Sequence, residues 1–359
     1  MIDIQKECEN RFKKEQEYLG TNKLINQINP LVSVTVTTYQ HAAYIKDCLE
    51  GILMQKTNFP FEIIIGEDES TDGTREICIE YAEKYPDKIR LFLRNRETSQ
   101  LYDENGKFVK RFNGLWTRMS ARGKYIALCE GDDYWIDPYK LQKQVDFLEA
   151  NPEFSLCTGG FKSYNIYTKE GTKVIIIPPE VTLKNNGYEY TLENTLDNWL
   201  TKTLTAVFRN YKELLDELSK YKYSRDVNLF YHVLKKGKGF YFTEILGVYR
   251  LHNNGIHSLK GWDERISISY KIYKELYDIN KDEYSRKWFL KMTLIILNSN
   301  IHNKNNFKHI KSNFSLILDA IKLVKKRKEL KQFVSVFVPK NVKKSIKKIQ
   351  LSYASNKKI

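Results

Sequence analysis

Apolar positions along this chain alternate between a strand-like and a helix-like period, and the changes mark its elements. The run Leu31-Val32-Ser33-Val34-Thr35-Val36-Thr37-Thr38-Tyr39 is β-branched and predicts a buried strand. From Ala42 to Gln55, Tyr44, Ile45, Cys48, Leu49, Ile52 and Leu53 recur at three and four, which predicts an amphipathic helix. Phe61–Gly66 is a second strand. Ser70-Thr71-Asp72-Gly73-Thr74 is a turn and helix cap leading into a helix over 75–84. Ile89–Leu93 and Tyr125–Cys129 are further strands, and residues 139–150, with Tyr139, Leu141, Val145 and Leu148, a further helix. Alternating strands and helices imply crossover connections and a mostly parallel sheet, an α/β architecture. Ligands in such sheets sit beyond the carboxyl ends of the strands, so the segments after Val36, Gly66 and Cys129 become candidate sites. Residues 155–190 predict additional strands and 191–260 a mixture. From about 263 the pattern is helical and increasingly rich in Lys. The expected organisation is a helical lead (1–29, ended by Pro30), a main α/β domain (30–262) and a basic helical region (263–359).

The chain has 359 residues, of which 42% are hydrophobic and 29% charged, a globular composition. The charged stretch Met1–Glu7 reads as no secretory signal, and the apolar runs fall short of the roughly 20 residues that span a bilayer. Five widely spaced cysteines with no C-x-x-C pair argue against a disulfide framework or zinc knuckle and fit a reducing cytosol. The expected location is cytoplasmic. The net charge of +15 is concentrated late: between 321 and 350, eleven Lys and Arg residues face Glu329 alone.

Three segments carry chemistry. Tyr39, at the end of the first strand, suits either core packing or stacking on a base. In Glu67-Asp68-Glu69-Ser70-Thr71-Asp72-Gly73-Thr74, capping accounts for Ser70 to Asp72. It does not account for acids directly after Ile63-Ile64-Ile65, where burial is costly without a partner. In Glu130-Gly131-Asp132-Asp133, three carboxylates within four residues need a cation or donors, and Mg²⁺ or Mn²⁺ binds through such oxygens together with substrate phosphates.

In order and combination these segments resemble the inverting glycosyltransferases of family 2, over roughly residues 31–260. The family's V-S-V-x-x-x-x-Y-N is matched by Val32-Ser33-Val34 through Tyr39-Gln40. Its D-D-G-S-T-D-G-T is matched by Glu67 to Thr74, and its D-x-D-D by Glu130 to Asp133 after Ala121-Arg122-Gly123-Lys124-Tyr125. The resemblance implies a GT-A fold, Rossmann-like with a mostly parallel sheet flanked by helices, here with a C-terminal helical extension. It implies that Thr37 and Tyr39 hold the base, that Asp68 reads its imide N–H, and that Asp132 contacts ribose or metal. It makes Asp133 the main ligand of Mn²⁺ or Mg²⁺. Asp226, in Ser224-Arg225-Asp226-Val227, matches the catalytic base, although its position equally suits a helix cap. Tyr249-Arg250-Leu251-His252 resembles the family's closing segment, with His252 completing the metal or diphosphate site and Arg250 neutralising phosphate; His257 and Ser258 are weaker candidates. Glu130 and Trp135 join the diphosphate and acceptor region, and Trp116, Trp135 and Trp199 suit either a sugar platform or packing. Gln40, Glu67 and Glu130 depart from the family's Asn, Asp and Asp. Residues 94–120 add Arg94, Arg96, Arg111 and Arg118, which suit either a diphosphate or ordinary surface.

The expected partners are a nucleoside-diphosphate sugar, UDP-sugar favoured, and a saccharide or lipid-linked acceptor. For the basic tail, an anionic membrane surface and a bundle with a solvated Lys face are both open. Two competing readings are a nucleotidyltransferase-like enzyme and a non-enzymatic basic protein that binds nucleic acid or membrane. The first wants a Gly-rich basic loop where Thr37-Thr38-Tyr39-Gln40 stands. Nucleic-acid binding is disfavoured by an acidic sheet mouth and the lack of a recognition motif.

Overall fold

The computed structural model describes residues 3–20, 28–178, 181–184, 186–196, 199–252, 262–302 and 310–337. The chain divides into two compact units, Met1–Leu259 and Lys260–Ile359.

In the first unit the elements run α1 (Ile4–Phe12), β1 (Val32–Thr38), α2 (Ile45–Leu53), β2 (Phe61–Asp68), α3 (Thr74–Lys84), β3 (Ile89–Arg94), α4 (Arg96–Ser99), β4 (Gln100–Tyr102), β5 (Phe108–Arg111), α5 (Asn113–Met119) and β6 (Tyr125–Leu128). They continue with β7 (Tyr134–Trp135), α6 (Lys140–Ala150), β8 (Phe154–Asn165), β9 (Glu170–Val174), β10 (Gly187–Tyr190), β11 (Val207–Arg209), α7 (Lys212–Ser219), α8 (Asp226–Lys236) and β12 (Lys238–Leu251). The main sheet has the order β10-β12-β8-β11-β6-β1-β2-β3, with β7 on β12 and β9 on β8. Strand β1 pairs in parallel with both β2 and β6, and β2 with β3, so four strands deliver their carboxyl ends to one edge.

Every residue of β2 is buried, as expected of a strand covered on both faces. Val34, Val36, Ile63, Ile65 and Ala127 pack with Ile45, Leu49 and Ile52 of α2 in the central core. At the opposite edge Glu62 is buried but paired. Its carboxylate accepts from the Ser33 hydroxyl at 2.6 Å and the Arg122 guanidinium at 2.6 Å. Gly123 beside them is required by close approach, because a Cβ there would stand 2.7 Å from the Ser33 nitrogen. The lead differs from expectation. Its helix stops at Phe12, and the Tyr18 amide donates to the Leu91 carbonyl at 2.7 Å, so this stretch meets β3 as an extended arm.

The second unit contains α9 (Trp262–Asn280), α10 (Glu283–His302), α11 (Ile310–Leu323) and α12 (Arg327–Val336). Phe289, Leu290, Leu297, Leu316, Ala320 and Leu323 form its core. Among the described residues no helix is long and apolar enough to cross a membrane.

Candidate active site at the carboxyl edge of the sheet

The turns after β1, β2 and β6 meet at this edge, and hydrogen bonds lock them together. Asp72 accepts from the Ala42 amide at 3.0 Å and from the Thr74 hydroxyl at 2.6 Å. The Gln40 amide donates to the Ser70 hydroxyl at 3.0 Å. Gln40 (φ 55°) and Glu69 (φ 62°) both adopt left-handed backbone, so each turn holds a non-glycine residue in a costly conformation. Gly131 fits because a Cβ would lie 2.7 Å from the Thr38 hydroxyl.

Adjacent acids do different work. Glu67 is buried and accepts from the Ser70 amide at 2.7 Å and from Arg75, so it holds the turn. Asp68, 1% exposed, accepts from the Ser99 hydroxyl at 2.8 Å, and its other oxygen stands 3.3 Å from Arg111 and 3.6 Å from Arg96. Burial pushes its carboxyl up, against the Ser99 hydrogen bond and the arginines. The Arg96 guanidinium lies 3.7 Å from the centre of the half-buried Tyr39 ring. The face expected to stack on a base is therefore covered by a cation.

The third turn splits likewise. Glu130 accepts from the Thr37 hydroxyl at 2.6 Å, and burial raises its carboxyl. Asp132 faces His252 Nε2 at 3.1 Å and His41 Nε2 at 3.8 Å. Burial alone would raise the Asp132 carboxyl, but the His252 hydrogen bond and the charge of His41 outweigh it and hold it below the ordinary value. Asp133 is 1% exposed and accepts from the Arg250 amide at 2.9 Å. Burial, with Asp132 and Glu130 nearby, raises it well above the carboxylate range.

Two residues expected at the site are buried. Asp133, expected to be the main metal ligand, is buried under the turn, whereas Asp132 is the accessible carboxylate and His252 is bonded to it. Arg250, expected at a phosphate, is also buried. Its guanidinium donates to the Asp132 carbonyl at 2.9 Å, pairs with Asp47 and lies 4.3 Å from the Tyr134 ring centre. It straps the acidic turn in place.

The basic insertion divides too. Arg94 is buried against Glu15, Asn113 and Thr117. Arg96 and Arg111 belong to Asp68. Burial pushes the Arg118 guanidinium down to about 10, opposed by Glu130. The four arginines therefore form no common diphosphate cradle. Trp135 is buried with its indole donating to the Leu204 carbonyl at 2.8 Å, and Trp116 stacks on Phe112 at 5.2 Å, so both are packing residues. Trp199 differs. It lines a cavity of about 170 Å³ with Phe161, Tyr241 and Lys202.

Asp226 opens α8, half-buried, with its carboxylate accepting from the Val227 amide at 3.0 Å. The Lys202 ammonium stands 3.4 Å from the centre of the Tyr249 ring. Burial lowers the Lys202 ammonium, while Asp133, Asp226, Asp132 and Glu130 together oppose the shift. Lys202 and His41 were not singled out from sequence. His41 follows Gln40 directly and was open to suspicion on that ground, whereas nothing around Lys202 signalled it. His257 and Ser258 lie outside the described residues.

No group of three or more His, Cys, Asp or Glu among the described residues is arranged to hold a metal. Asp132 and His252 still suit a divalent cation whose remaining ligands are phosphate oxygens and water, the usual habit of Mg²⁺.

A mixed, largely parallel sheet gathers carboxylates, a tyrosine and a histidine pair at its carboxyl edge, where open α/β sheets hold their ligands. The sequence profile named Glycosyl transferase family 2 matches residues 33–218, over half of the chain, and the protein belongs to that family. An uncharacterized protein of Mycobacterium tuberculosis is 33% identical over 240 residues, 65% of this chain and 64% of its own length. The chain thus spans slightly under two thirds of that relative. TuaG of Bacillus subtilis, named for teichuronic acid biosynthesis as a glycosyltransferase, is 31% identical over 69% of this chain and 88% of its own. Residues 1–349 of S. aureus TarS, solved with UDP-GlcNAc, superpose with a TM-score of 0.55 at 18% identity, covering 85% of this chain and 89% of that fragment. That likeness shows the GT-A fold.

Proposed function

We propose that the protein transfers one sugar from a nucleoside-diphosphate donor, UDP-linked by preference, to a hydroxyl of a saccharide or lipid-linked acceptor, with inversion at the anomeric carbon. The observation that carries this reading is that Asp68 and Tyr39 share Arg96 and that Asp132 meets His252 at the carboxyl edge of one sheet, with Asp226 opening α8 near enough for its charge to act on Glu130. The UDP-GlcNAc bound in TarS and the teichuronic acid biosynthesis in the name of TuaG support a UDP-sugar and polysaccharide assembly.

Asp68 accepts the imide N–H of the base, and Tyr39 stacks on the ring once Arg96 lifts from it. Thr37 and Glu130 border the ribose. Asp132 and His252 would hold Mn²⁺ or Mg²⁺, which would supply positive charge to offset that on the leaving diphosphate. Asp133 and Arg250 fix the turn that presents Asp132. Asp226 takes the proton from the acceptor hydroxyl as it attacks, and general-base assistance of this kind is worth about 10²–10⁴-fold. The Lys202 ammonium, held on the Tyr249 ring, adds positive charge that offsets the four carboxylates. The acceptor sugar lies against Trp199 and Phe161 in the adjoining cavity.

Calorimetric titration of UDP, GDP, dTDP and CDP, with and without Mn²⁺, into wild type and Asp132→Ala tests the donor end. The expected result is metal-dependent binding of UDP that Asp132→Ala loses. Absence of binding by every nucleotide would overturn the proposal.

A further inference from the structure

The unit Lys260–Ile359 carries an unusual surface on its last two described helices. In α11, Phe314, Leu318 and Ile321 recur at four and three, and all are exposed, Phe314 to 64%. In α12 and its cap, Leu330, Val334 and Phe337 repeat that spacing, with Val334 54% exposed. Such spacing puts each trio on one helix face. The other faces are satisfied, because Leu316, Ala320, Leu323 and Val336 pack into the unit's core. Isolated exposed apolar residues are ordinary; a repeated stripe on consecutive helices is not.

Charge accompanies the stripes. Lys322, Lys325, Arg327, Lys328 and Lys331 are exposed, while Lys326 reaches Glu283 at 3.5 Å. The two acids of residues 310–337 are engaged within the unit. Glu329 is buried against Arg286 at 2.7 Å, and Asp319 accepts from the Tyr270 hydroxyl. What remains outward carries no acid: apolar and cationic side chains with the neutral Ser315, Gln332 and Ser335 among them.

We propose that the α11–α12 surface is an interfacial docking face for a bilayer containing anionic phospholipid. Apolar faces of this kind sink into the boundary between headgroups and acyl chains, while flanking cations meet the anionic leaflet. A second copy of the chain would bring like charge against this surface, which opposes self-association through it. The inference rests on this unit's surface and not on the donor chemistry of the sheet. Joined to the proposed transfer, it favours acceptors displayed at the membrane.

The test is co-sedimentation of the full chain with vesicles of phosphatidylcholine alone or with about 30% phosphatidylserine, at roughly 0.05 and 0.5 M salt. One variant carries Lys325→Glu, Lys328→Glu and Lys331→Glu; the other carries Leu330→Ser and Val334→Ser. All five positions are exposed, and circular dichroism checks the fold. Wild type should partition at least about tenfold better onto the anionic vesicles, since each lysine is worth roughly fivefold near such a surface. The charge variant should lose that preference. The apolar variant should bind at low salt and release at high salt. Equal partition of wild type onto both vesicles, or unchanged binding by the charge variant, overturns the proposal. So does an apolar variant that converts a dimer to a monomer while keeping vesicle binding, since the face would then join copies of the chain. UDP titration of the same preparations reports separately on the donor site.

Discussion

Lys140 offers a quantitative check on the packing beneath the acidic turn. It opens α6 with no exposed surface, its ammonium 4.0 Å from the Trp135 ring centre and without a hydrogen-bond acceptor among the described residues. Burial pushes this ammonium from the ordinary 10.5 down to about 7, with the Cys129 and Cys157 thiols and Asp137 opposing weakly. A fall of that size corresponds to a penalty of roughly 5 kcal/mol for keeping the group charged. A desolvated cation on an indole face recovers about 2 kcal/mol, leaving about 3. The sign follows from proton binding. Between about pH 7 and 10.5 the unfolded chain holds the Lys140 proton and the folded chain tends to release it, so stability rises with pH across that window. Below about pH 7 the full penalty applies. Lys140→Met keeps the stem and removes the charge. It should therefore raise the melting temperature at neutral pH, by about 6–12 °C if the whole 3 kcal/mol is realised, and the gain should shrink steadily toward pH 10. Thermal unfolding of both proteins from about pH 6 to 10, read as the difference between them, measures this. A variant that melts at or below wild type at neutral pH, or a pH-independent gap, would refute the reasoning and mean that Trp135 holds the lysine charged at little cost.

Two further outcomes concern the site. Asp68→Asn should weaken UDP binding by about 10- to 150-fold, the worth of a hydrogen bond to a charged acceptor, and should narrow the preference for UDP over CDP; titration calorimetry with both nucleotides reads the change. Asp226→Asn should lower kcat by about 10²–10⁴-fold while leaving the UDP affinity within twofold or so, and steady-state kinetics beside calorimetry separates the two effects.

The central strands were legible because burial on both faces leaves an unbroken apolar run, as in Ile63-Ile64-Ile65, and parallel pairing then fixes which ends meet. The loops that carry the acids were found on that ground alone. The extent of the lead helix was not legible, since the stretch after Phe12 is held to β3 through the Tyr18 amide as an extended arm, a contact between segments over 70 residues apart. Lys140 is a harder case. A lysine between Tyr139 and Leu141 at a helix start reads as solvent-facing, and only the position of Trp135 shows otherwise.

Neighbouring acids mark where one-dimensional reading stops. Asp132 and Asp133 share a turn and a chemistry, yet one meets His252 and the other the Arg250 amide, because β12 returns beside the turn from more than 100 residues away. The same strand brings His252 to the accessible acid and buries Arg250 beneath it. Glu67 and Asp68 divide in the same way, through Arg75 on one side and Ser99, Arg96 and Arg111 on the other. A motif of consecutive carboxylates therefore marks one sheet edge, while the strands that come back to it decide which carboxylate stays accessible.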